Sequence, residues 1–61
     1  MNAAERIHKL SLASAEIRRA RIHLRDIAEM SHAGSCTDLL DDIAEDIKAW
    51  QREQAREDKA Q

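Results

Sequence analysis

Ser31-His32-Ala33-Gly34-Ser35-Cys36-Thr37 carries the only glycine of the chain, which also holds no proline. No other segment offers so clear a break in helix-forming sequence. On either side of it the apolar residues recur at helical rather than alternating spacing. The expected fold is therefore all-α: an antiparallel helical hairpin, with a first helix over about 3–30, a turn at 31–36 and a second helix over about 37–58, making one domain across 1–61.

Outward from the glycine toward the N-terminus, Ala3, Leu10, Ile17 and Leu24 recur at every seventh position. Ala13, Ala20 and Ile27 follow the last three of these at a distance of three, so the a and d positions of a heptad can be assigned. Ile7 and Ala28 widen this stripe. Large side chains alternate with small ones along it, Leu10 with Ala13 and Ile17 with Ala20, the layering of a bundle seam.

Toward the C-terminus, Thr37 is the expected N-cap of the second helix, with Ser35 as the alternative because Ser35 and Asp38 have capping-box spacing. Asp38, Asp41 and Asp42 would then fall in the first turns, where the helix dipole favours negative charge. Leu40, Ile43, Ile47 and Trp50 form the apolar stripe, with Leu39 and Ala44 on its shoulder. Beyond Trp50 the tail carries no large apolar residue.

Folding the chain about Gly34 sets Leu24 and Ile27 beside Leu40 and Ile43, Ile17 and Ala20 beside Ile47 and Trp50, and Leu10 beside Gln54 or Glu57. Ile7 and Leu10 are then left without an apolar neighbour. Sixty-one residues bury only about 60% of their unfolded surface, and 11 of the 26 hydrophobic residues here are alanine. A second copy is the expected remedy: a homodimer closing into a four-helix bundle, with Ile7, Leu10, Ala13, Ile17, Ala20 and Leu24 at its interface. Trp50, the lone aromatic, is expected to plug the core opposite Ala13 and Ala20.

The formal charge of −2 conceals an asymmetry, since residues 1–30 carry six basic and four acidic side chains and residues 31–61 four and eight. Arg18, Arg21 and Arg25 share one side of the first helix. They can pair with Asp38, Asp41, Asp42, Glu45 and Asp46 across the hairpin, or contact phosphate. The net acidity and the lack of aromatic residues among the arginines favour pairing.

Catalysis, metal and cofactors are not expected. His32 and Cys36 have a spacing that zinc uses, but a structural site needs four ligands and no second pair exists. His8 and His23 are expected at the surface. Asp41 and Asp42 are adjacent and point in different directions on a helix, which spoils them as an acid/base pair. One cysteine cannot form an internal disulfide, no apolar run approaches 18 residues, and no signal-peptide core follows Met1. A reducing, cytoplasmic setting without a membrane partner is expected.

A second, thinner apolar strip runs along the first helix through Ala4, Ala15 and Ile22, with Leu12 and Met30 beside it. Leu12 and Ile22, flanked by Arg18, Arg19, Arg25 and His8, form the candidate partner-binding face. The expected function is that of a small non-enzymatic interaction protein that binds and modulates another protein, as adaptor, inhibitor or assembly factor. In shape alone, a chain of about sixty residues forming a layered helical hairpin resembles the Rop-type plasmid copy-number regulators. That resemblance implies RNA-hairpin binding as an alternative, with Arg18, Arg19 and Arg25 at risk. A purely structural dimerisation module is the third reading.

Overall fold

A computed structural model describes residues 1–60 and consists of two α-helices, α1 over Ala3–Asp26 and α2 over Met30–Ala60, with no strand among the described residues. The expected all-helical hairpin is present. Gln61 lies outside the described residues. Asn2 caps α1: its Oδ1 accepts from the Glu5 N–H at 2.9 Å, and its carbonyl accepts the Arg6 N–H at 3.1 Å.

The turn is not at Gly34. It lies at Ile27–Glu29, and α2 runs unbroken through residues 31–36. The end of α1 is a Schellman arrangement: the Glu29 N–H donates to the Leu24 carbonyl at 2.8 Å and the Ala28 N–H to the Arg25 carbonyl at 3.0 Å. This closure requires one residue in the left-handed region. Ala28 takes that place with φ 62°, although it bears a Cβ. Left-handed backbone costs an ordinary residue about 1–2 kcal/mol.

Packing explains why that cost is accepted. Inward positions on α1 advance as Ala3, Ile7, Leu10, Ser14, Ile17, Arg21 and Leu24, and on α2 as Ala33, Cys36, Leu40, Ile43, Ile47, Trp50 and Gln54, all buried or half-buried. Folding at residue 28 brings Leu24 level with Ala33, Ile17 with Leu40, Leu10 with Ile47 and Ile7 with Trp50. Two cross-helix contacts set this register, Arg21 to Thr37 and Arg6 to Trp50. Had the chain folded at Gly34, Ile7 and Leu10 would face the polar tail. Even half of the roughly 1.5–3 kcal/mol available from burying each large aliphatic side chain offsets the strain at Ala28.

The earlier N-cap assignment changes with the turn. Thr37 and Ser35 sit inside α2, where their hydroxyls donate back to the carbonyls of Ala33 at 3.3 Å and Ser31 at 3.2 Å. No acidic residue occupies the first turn of α2. Asp38, Asp41 and Asp42 fall two or more turns further along.

The helical stripe on α1 is also rotated from the expected one. Ser14 and Arg21 enter the seam, whereas Ala13 and Ala20 are exposed. Ser14 is only 6% exposed, and its hydroxyl is satisfied by the Leu10 carbonyl at 3.0 Å. The polar tail continues as helix through Ala60. Because α2 is the longer helix, its last turns project past the start of α1.

Candidate functional site

A hairpin of two helices has two open sides, and here they differ in chemistry. One is bordered by Leu10, Ala13, Ile17, Ala20, Leu24 and Ile27 on α1 and by Cys36, Leu39, Ile43, Asp46 and Trp50 on α2. Each row advances at steps of three and four, the spacing that keeps residues on one helix edge. A groove of about 460 Å³ lined by Met1, Arg6, Lys9, Leu10, Ala13, Asp46 and Trp50 joins both rows, which places them on the same side of the seam. Ile27 and Leu39 are exposed by 69% and 48%, and no large side chain among the described residues is fully buried.

Trp50 anchors the end of this apolar side. It is half-buried, level with Ile7 and Leu10, and the Arg6 guanidinium carbon stands 4.6 Å from its ring centroid. Rather than plugging a core opposite Ala13 and Ala20, it lines the open groove beside an exposed Ala13 and lies well away from Ala20. Of the interface residues expected from sequence, Leu10, Ala13, Ile17, Ala20 and Leu24 fall along this side. Ile7 lies in the seam. Ile7 and Leu10, expected to lack apolar neighbours in the monomer, have them: α2 supplies Trp50 and Ile47 at their levels. An apolar face open along its length stands in place of that local deficit.

The opposite side is polar. Ser11, Arg18 and Arg25 on α1 and Thr37 and Gln51 on α2 border it, and further round α1 stand Arg19, Leu12 and Ile22. Leu12 and Ile22 are both exposed, as are Arg18, Arg19 and Arg25. The expected cross-helix ion pairs do not form. Among the described residues the ion pairs are Arg19–Glu16, Lys48–Glu45 and Arg56–Glu53, each within one helix and at 3.3–3.5 Å. Arg21 instead donates from Nη1 to Thr37 Oγ1 at 3.3 Å, and its Nε is buried with no hydrogen-bond partner. Register accounts for two of the three: folding at residue 28 sets Arg21 and Arg25 level with Thr37 and Ala33, short of the aspartates, while Arg18 stands level with Leu39 and is exposed.

His8, His23 and His32 are exposed, Cys36 is half-buried, and no cluster of three metal-ligating side chains occurs among the described residues. No described helix is long and apolar enough to cross a membrane. Sequence reasoning missed the contribution of α2 to the open face. The signal for it was present in Leu39, Ile43 and Trp50, spaced at four and seven. Compared with family models, curated proteins and solved structures, the chain matches none.

Proposed function

We propose that this chain is a small non-enzymatic helical interaction protein of the cytoplasm, acting as a homodimer whose two hairpins close into a four-helix bundle, and that it binds and modulates another protein. The observation that carries this reading is the apolar side of the hairpin, where Ile43 is buried but Leu10, Ile17, Leu24 and Trp50 stand half-buried and Ile27 and Leu39 exposed. A single hairpin holds no enclosed space for catalysis. Dimerisation through the apolar side leaves Leu12, Ile22 and the arginines Arg18, Arg19 and Arg25 facing outward, where apolar contact and positive charge suit an acidic helical partner, as an adaptor, inhibitor or assembly factor would need.

A second reading is supported by the arginines themselves. Because Arg18 and Arg25 are exposed and have no carboxylate partner among the described residues, they are available to phosphate, and an RNA-binding regulator is the alternative. Affinity capture from lysate, with and without nuclease, separates the two. Protein partnership requires a nuclease-resistant partner that is lost when Leu12→Ser and Ile22→Ser are combined, with helicity retained by circular dichroism. Nuclease-sensitive capture that weakens steeply with salt supports RNA. Dimerisation with neither leaves the purely structural module.

A further inference from the structure

The hairpin divides its charge between its two helices in a way that selects one dimer geometry. α1 carries six basic side chains and three acidic ones, while α2 carries four and eight. Around the apolar side the division persists. Arg6, Lys9 and Glu16 border it on α1, and Asp42, Asp46, Glu53 and Arg56 border it on α2.

Two ways exist to place a second copy on that side while keeping a two-fold axis and antiparallel neighbours. With the turns at opposite ends, α1 lies on the partner's α1 and α2 on the partner's α2, so the two copies of Asp42 face each other near the middle and no bordering acid comes level with Arg6 or Lys9. With the turns at the same end, each α1 lies on the partner's α2. Arg6 and Lys9 then come level with the partner's Glu53 and Asp46, two attractive pairs on each side of the axis against one like-charge pair, Glu16 with the partner's Asp42, and Ala20 comes level with the partner's Leu39, a small residue against a large one. Resting on the homodimer reading above, we infer that the occupant of the apolar side is a second copy of this chain in the second arrangement, turns together and α1 over the partner's α2. The molecule measures 50 × 15 × 12 Å between its Cα extremes, so the apolar side presents a long face two helices wide to the second copy. Like-charge contact across an interface disfavours the wrong pairing more than it changes affinity for the right one.

Disulfide trapping tests this geometry. In a Cys36→Ser background, proteins carrying Ala13→Cys, Ala20→Cys or Leu39→Cys are mixed pairwise in a glutathione buffer, after circular dichroism has verified their helicity. All three positions are exposed. The inferred dimer traps Ala20→Cys with Leu39→Cys as a species of twice the 7.0 kDa chain mass, and it leaves Ala13→Cys and Ala20→Cys uncrosslinked, alone or together, because the two copies of α1 are diagonal. Crosslinks among the Ala13→Cys and Ala20→Cys proteins overturn it in favour of turns at opposite ends. A dimer by sedimentation that traps no pair overturns the choice of face. A monomer by sedimentation rejects the homodimer reading itself.

Discussion

The guanidinium of Arg6 and the indole of Trp50, 4.6 Å apart, tie the start of α1 to the end of the apolar row of α2. The contact closes the end of the hairpin remote from the turn, where Asn2 and Ala3 begin the first helix. Arg6 thereby covers one face of a ring that would otherwise be open to the groove. Arg6→Ala is expected to lower stability by about 0.5–1 kcal/mol and to shift tryptophan emission to longer wavelength. Arg6→Lys, which keeps a cation without the planar group, should fall between. Thermal melts and emission spectra of the three proteins check this.

Gly34 occupies a helix interior, and a Cβ built there meets nothing within 4 Å. Gly34→Ala is therefore expected to stabilise the protein by roughly 0.5–1 kcal/mol, through better helix propensity and a less flexible unfolded chain. For a domain of this size that raises the melting temperature by about 4–8 °C per kcal/mol. A fall in melting temperature would place the turn at residue 34 instead.

Ala28 holds φ 62° at the Schellman position. Ala28→Gly removes the left-handed penalty, partly offset by glycine's greater unfolded freedom, for a net gain of about 0.5–1 kcal/mol. Ala28→Val, with a branched Cβ in the same conformation, should be less stable than the parent. Chemical denaturation of both variants gives the comparison, and equal effects would deny a left-handed residue there.

Arg21 brings a charge into the seam with one side-chain hydrogen bond, to Thr37 at 3.3 Å. Replacing a poorly satisfied seam charge by an apolar residue of similar length is often neutral or stabilising. Arg21→Met is expected to leave stability unchanged or raise it by about 1 kcal/mol, while Thr37→Val, which strands the guanidinium further, lowers it by about 1 kcal/mol. In the double variant the loss from Thr37→Val should vanish, and a double-mutant cycle measured by urea denaturation reads that coupling directly.

Much of this architecture was legible in residue spacing. Ala3, Leu10, Ile17 and Leu24 announced a helical edge, and Leu40, Ile43, Ile47 and Trp50 a second, so the all-helical hairpin followed. The turn was misread because Ile27-Ala28-Glu29 contains none of the residues that ordinarily mark a helix end. An isolated Gly34, conversely, is tolerated inside α2. A comparison of apolar supply would have located the fold: only a turn near 28 gives Ile7 and Leu10 neighbours in Trp50 and Ile47.

The amino-acid order alone determined that two amphipathic helices form, that one is basic and the other acidic, and that neither can bury its apolar residues by itself. These are local properties, carried by periodicity and by charges three and four positions apart. Tertiary structure decided the turn, the register and the rotation of each helix, and with them the entry of Ser14 and Arg21 into the seam and the exposure of Ala13 and Ala20. Those choices depend on matching one row of side chains to another across many residues. A local preference of about 1 kcal/mol for glycine over alanine in a turn yields when several aliphatic side chains gain partners.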